Sequence, residues 1–226
     1  MKNIFKNIGT VAQPGRATDR VRGMWEVIGA IIGDGNLYEN KKHYRICITG
    51  DPRNEYEYFK YLSNIIRNSW KVSPRIKVRS GGLRLIITSK NMLTDLKKMG
   101  IPVGKNKHKK VEIPKRAFNN IEALKKVIRG ITDTDGSVFA SKKKGVQNYP
   151  AIEITTTSIK LAKQLKESLT MLGFKVAKIR SYKSKKGKSL TYKVCLYGRK
   201  NLEMWIKEIG FSNPNKRKKA EFILSL

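Results

Sequence analysis

The sequence predicts a mixed α/β fold built from two tandem αββαββα units, and three observations carry that prediction. A nine-residue frame occurs twice, as Val27-Ile-Gly-Ala-Ile-Ile-Gly-Asp-Gly35 and Ile128-Arg-Gly-Ile-Thr-Asp-Thr-Asp-Gly136. A second landmark follows at matching distance in each half: Lys90-Asn91 leading to Gly100-Ile101, and Lys200-Asn201 leading to Gly210-Phe211. Around these landmarks the apolar residues switch between a period near 3.6 and a period of two in the same order. The 226-residue chain therefore divides into a basic N-terminal extension (1–22), a first unit (23–118) and a second unit (119–226), each of ordinary small-domain size.

The elements follow from local pattern. Arg22 to Gly33 and Asn120 to Thr134 read as helices that stop at Asp-Gly. Alternation makes strands of Tyr44–Thr49, Arg75–Ser80, Leu83–Thr88, Ala151–Thr156, Val176–Tyr182 and Thr191–Leu196. Gly81-Gly82 marks a hairpin turn and 183–189 a longer basic tip. Tyr56, Phe59, Leu62 and Ile66, like Leu161, Leu165, Leu169 and Leu172, recur at helical spacing and form core faces. Asn91–Met99 and Asn201–Ile209 close the units as helices. Trp25, Trp70 and Trp205 fall on apolar helix positions and are expected in the core.

Charge narrows the function. Lys and Arg number 49 against 17 Asp and Glu, a net charge of +32, which points to a polyanionic partner, nucleic acid above all. No apolar run is long enough for a membrane span and no signal-peptide pattern opens the chain, so an intracellular protein, cytoplasmic or organellar, is expected. Cys47 and Cys195 have neither zinc nor disulfide spacing, and His43 and His108 lack metal-ligand neighbours. No Gly-Lys-Ser/Thr follows Gly33-Asp34-Gly35 at the spacing that would complete a Walker motif. In Arg75–Arg79 the period of two sends Ile76 and Val78 to one face and Arg75, Lys77 and Arg79 to the other. Lys178, Arg180 and Lys193 repeat this in the second unit, with Arg45, Arg84 and Lys142 adding charge on the neighbouring strands. Cationic strand faces of this kind suit the major groove of a DNA duplex.

Gly29 and Gly33 lie four apart on one helical stripe, as do Gly130 and Thr134. Two helices touching along such stripes would bring their C-terminal ends together, and with them Asp34 and Asp135. Paired carboxylates facing a phosphate backbone need a divalent cation between them, and all-oxygen ligation suits Mg2+, with Mn2+ able to substitute.

The two nine-residue frames resemble the signature of the LAGLIDADG homing endonucleases over nearly the whole chain after Arg22. The first copy has Ile32 where the family usually has Asp; the second keeps Asp133. The resemblance implies a monomer with pseudo-twofold symmetry. Two curved antiparallel sheets of four strands would form a saddle over a long double-stranded DNA site, with the motif helices between them. It further implies metals on Asp34 and Asp135, helped by the carbonyls of Gly33 and Thr134, and cleavage across the minor groove leaving short 3′ overhangs. Lys105, in Gly-Ile-Pro-Val-Gly-Lys, and Lys216, after Asn215, resemble lysines that enter such active sites as electrostatic stabilisers or organisers of the attacking water; simple phosphate contact is the other reading. Many relatives carry Gln or Lys at the end of the second strand, where this chain has Thr49-Gly50 and Thr156-Thr157. No Cys or Ser opens the chain and no His-Asn closes it, so a free-standing, intron-encoded enzyme is expected rather than an intein. An RNA maturase acting on intron RNA and a catalytically silent DNA-binding regulator are the alternatives.

Overall fold

The computed structural model describes residues 16–104, 107–143, 145–183 and 190–226. In the first half, α1 (Arg16–Asp34) leads to the hairpin β1 (Gly35–Glu39) and β2 (Tyr44–Gly50), then α2 (Tyr56–Trp70), the hairpin β3 (Arg75–Arg79) and β4 (Gly82–Thr88), and α3 (Lys90–Lys98). A short α4 (Lys107–Lys110) and a 3-10 turn (Lys115–Asn119) connect to the second half. There the order repeats: α5 (Ile121–Asp135), β5 (Gly136–Lys143), β6 (Val146–Thr156), α6 (Ile159–Met171), β7 (Arg180–Lys183), β8 (Leu190–Tyr197) and α7 (Arg199–Glu208), followed by α8 (Pro214–Ser225). Each half forms one four-stranded antiparallel sheet, with matching orders β1-β2-β4-β3 and β5-β6-β8-β7. The mixed α/β architecture of tandem αββαββα units is thus as read from the sequence.

Alternation fixes which side of each sheet is covered. Ile46, Ile48, Leu83, Leu85 and Ile87 are fully buried against Phe59, Leu62 and Ile66 of α2. Val138, Ile152, Ile154, Val194 and Leu196 play the same part against Leu161, Leu165 and Leu169 of α6. Between the halves run α1 and α5. From Trp25 to Ile32 every residue of α1 is buried, the pattern of a helix enclosed by protein. Trp25 and Trp205 are core, whereas Trp70 is only partly buried.

Several elements differ from the sequence reading, among them β6, which begins at Val146 rather than Ala151. Helix α1 begins at Arg16 rather than Arg22. The β3–β4 turn is centred on Ser80-Gly81, both at positive φ (51° and 74°), because Arg79 pairs with Gly82 in the ladder; two positive φ values suit the right-handed twist of a two-residue hairpin. Strand β7 begins at Arg180, leaving Val176 as an isolated bridge to Leu196 and Lys178 outside any strand. Just before it, the Asn201 amide engages both backbone groups of Lys175 (3.1 and 2.9 Å), and the Ala177 amide donates to the Cys195 carbonyl at 2.9 Å. Helix α8, opened by Asn213 as N-cap and Pro214, was not anticipated.

Candidate active site

The site is set by contact between two helix backbones. A Cβ on Gly29 would fall inside contact distance of the Val127 carbonyl and 3.0 Å from the Gly130 Cα; one on Gly130 would strike the Glu26 carbonyl. Val127 precedes Gly130 by three residues as Glu26 precedes Gly29, so the contact is reciprocal, as a local twofold requires. One turn later a Cβ on Gly33 would meet Thr134 Oγ1 and lie 3.3 Å from Asp135 Oδ2. Only glycine at Gly29, Gly33 and Gly130 lets the C-terminal ends of α1 and α5 meet this closely.

Asp34 and Asp135 are the last residues of those helices. Together they line one cleft of ≈ 310 Å³ with Ile32, Gly33, Val111, Thr155, Thr156, Thr157 and Thr191. Neither helix has a basic residue in its last turn, although a helix C-terminus carries partial negative charge and favours cations. Two acids at two such ends oppose the fold's own electrostatics. The all-oxygen donor set, two carboxylates beside helix-end carbonyls, fits a hard divalent cation of the Mg2+ type. Among the described residues no three His, Cys, Asp or Glu side chains converge on one point, so water or phosphate oxygens would complete the shell.

Lys216, on α8, comes to the end of α5. Its Nζ donates to the carbonyls of Thr132 (2.9 Å), Asp133 (2.7 Å) and Thr134 (3.1 Å). The Thr134 carbonyl, expected to help a metal, is therefore an acceptor for this ammonium. Burial lowers the Lys216 pKa, while Asp133, Glu55, Asp34 and Asp135 act in the opposite direction. Lys105 lies outside the described residues. Thr134 turns its hydroxyl back onto the Gly130 and Ile131 carbonyls, both at 3.0 Å.

Two further acids reach this region: Glu55, which the sequence reading did not single out, and Asp133 of the second motif. Glu55, just before α2, accepts from the Asp51 amide at 2.8 Å, and its Oε2 sits 2.6 Å from where a Gly50 Cβ would be. Burial raises its pKa, with Asp51's amide and Lys216 opposing and Asp34 adding to the rise. It borders a second cleft with Asn54, Gly136, Asn213, Asn215, Lys216 and Lys219. The only signal in the sequence was the length of the 51–55 loop, longer than its counterpart in the second half. Asp133 is fully buried, and burial pushes its carboxyl up to about 7 despite the bond from the Ser212 amide.

The strand cations divide by register. Tyr38 pairs with Arg45, Arg75 with Ile86 and Lys77 with Arg84, so Arg45, Arg75, Lys77, Arg79 and Arg84 share the face opposite the core residues Ile46 and Leu85. In the other sheet Arg180 pairs with Lys193 on the corresponding face. Lys193 is engaged there: its Nζ lies 2.6 Å from Glu153 Oε1 and 5.1 Å from the centroid of the Tyr182 ring. Lys142 is exposed where β5 bulges, between Ser141 and Lys143, and Lys178 is exposed outside the sheet.

Residues 122–210, which hold the second motif and the strands behind it, match the family described as LAGLIDADG-like domain. The second half thus carries a LAGLIDADG-like domain. The fold matches as well, with structures of the homing endonuclease I-DmoI superposing over nearly their full length. One of these, from a study of mesophilic variants, is 20% identical, covers 84% of this chain and 97% of its own, and has a TM-score of 0.62. Another, in complex with DNA and Mn, is 19% identical over 85% and 98% of the two chains, with a TM-score of 0.60. Full-length DUF199/WhiA from Thermatoga maritima shares the LAGLIDADG fold at 12% identity, with a TM-score of 0.56 over 96% of this chain and 63% of that one. Among curated proteins, replication factor C small subunit of Methanocaldococcus jannaschii is 29% identical over 86% of this chain. The tRNA-splicing ligase RtcB of Methanopyrus kandleri is 24% identical over 88%. The chain spans only 10% and 22% of those two relatives, so their named activities belong to proteins far longer than the shared segment. Among the described residues no helix is long and apolar enough to cross a membrane.

Proposed function

We propose that the protein is a site-specific endonuclease on double-stranded DNA, an intron-encoded homing endonuclease acting as a monomer with Mg2+ or Mn2+ and leaving short 3′ overhangs. The observation that carries this reading is the convergence of Asp34 and Asp135, one from each half, on a single cleft at the ends of two helices in backbone contact. Arg45, Arg75, Lys77, Arg79 and Arg84 on one sheet, with Arg180 and Lys193 on the other, hold the duplex through phosphates and major-groove base edges. Asp34 and Asp135 hold a divalent ion, which when bound polarises the phosphodiester and activates water. Lys216 supplies a fixed positive charge beside the two acids, and Lys105 is assigned the same part in the first half.

The test is incubation of the protein with duplex DNA from an uninterrupted allele of the host gene, with Mg2+ or with EDTA, followed by end mapping. Staggered, metal-dependent cuts at one locus are expected. The Asp34→Asn and Asp135→Asn variants should each bind that DNA and fail to cut at least one strand. Normal double-strand cutting by either variant would refute the metal assignment. Tight binding without any cutting by the wild type would favour a silent regulator, and binding of intron RNA alone a maturase.

A further inference from the structure

The segment from Ser212 to Lys216 is attached on both sides of the site. On one side, the Ser212 amide donates to Asp133 Oδ2 at 2.8 Å and Asn213 Nδ2 lies 3.4 Å from the Asp133 carbonyl. On the other, Asn213 Nδ2 is also 3.4 Å from Glu55 Oε1, and Asn215 Nδ2 donates to the Asn54 carbonyl. Asn213 Oδ1 caps the new helix through the amides of Asn215 (3.1 Å) and Lys216 (3.5 Å). Lys216 thus leaves the first turn of α8 and points back at the end of α5. Asp133 is fully buried, and its Oδ1 has no hydrogen-bond partner among the described residues. Burying a carboxyl with one oxygen unpartnered costs stability, so stability alone does not account for an acid here. At the equivalent place in the first half stands Ile32, buried and apolar.

We propose that Asp133 is a positioning residue: through the Ser212 amide it fixes the turn that opens α8 and thereby holds the Lys216 ammonium against the end of α5, beside Asp34 and Asp135. The device belongs to the second half alone, because Ile32 offers no acceptor. Its importance for catalysis rests on the nuclease reading above; the positioning itself does not.

The experiment compares full-length wild type with Asp133→Asn, which keeps an acceptor oxygen for the Ser212 amide, and Asp133→Leu, which is of similar size and has none. The first readout is the rate of reductive methylation of the Lys216 amine, mapped by mass spectrometry on folded protein. Loss of a hydrogen bond to a charged group predicts a rise of about tenfold in the Leu variant and little change in the Asn variant. The second readout separates DNA binding from single-turnover cleavage: the Leu variant should bind as wild type and cleave about tenfold more slowly, with the Asn variant restoring the rate. Unchanged Lys216 reactivity in the Leu variant, or equal reactivity in the Leu and Asn variants, overturns the proposal. If the Leu variant does not fold, hydrogen exchange at the Ser212 amide of the wild type decides: slow exchange supports the bond, and exchange at the rate of an open loop overturns it. A wild type that never cuts DNA defeats the nuclease reading, while the methylation rates still judge Asp133.

Discussion

Asp34 and Asp135 stand at the negative ends of two adjoining helices, with the Lys216 ammonium and the acids Glu55 and Asp133 near them. Replacing either by Asn removes one anion from that crowd. In metal-free buffer the Asn variants should therefore be more stable than wild type by about 0.3–1 kcal/mol in urea unfolding, with the gain erased by millimolar Mg2+. Asp133 makes a different prediction. Its carboxyl titrates near 3.8 when unfolded and at about 7 when folded. The folded protein then holds a proton that the unfolded chain has released, so this group's contribution falls as pH rises from about 4 to about 7 and is level above that. Asp133→Asn should flatten the decline, and a stability curve unchanged across that window would show the carboxyl is not the cause.

Among the elements, the α1–α5 pair has the least room. A Cβ on Gly130 would lie 2.7 Å from the Ala30 amide nitrogen and 3.0 Å from the Gly29 carbonyl carbon, both backbone, so no rotamer change can relieve the clash. Gly130→Ala should cost about 3 kcal/mol and lower Tm by roughly 6–12 °C, and the helices forced apart would carry Asp34 and Asp135 with them. Gly82→Ala is the control: its Cβ would find only the Arg79 carbonyl, at 3.7 Å, and should cost under about 1 kcal/mol. Thermal melting of both variants checks the contrast.

For the whole molecule the governing quantity is a net charge of +32 on a chain whose two sheets share one topology. If about ten phosphates are neutralised, log K for duplex DNA should fall with log salt at a slope near −9, and Lys77→Ala should make that slope shallower by about 0.9. Titration of a labelled duplex between low and moderate salt measures both. Lys193 differs from the other strand cations, since its ion pair with Glu153 must be given up or shared before it meets a phosphate. Lys193→Ala is accordingly expected to change the slope less than Lys77→Ala.

The duplicated frame, the order αββαββα and the buried face of each sheet were legible in the amino-acid sequence, because period, turn chemistry and repetition are local or additive properties of the chain. The pair Asp34 and Asp135 was legible for the same reason: small residues four apart are compatible with a close helix contact, and an acid ends each stripe. What the tertiary structure alone decided was the company those acids keep. Lys216 reaches the end of α5 only because α8 folds back across the site, and Glu55 and Asn54 from the first half brace that turn. Asp133 proved to be a buried acceptor for a backbone amide 79 residues away. Sequence periodicity reports which face of an element is covered, whereas bonds between residues so distant depend on how finished elements dock, and no local pattern encodes that.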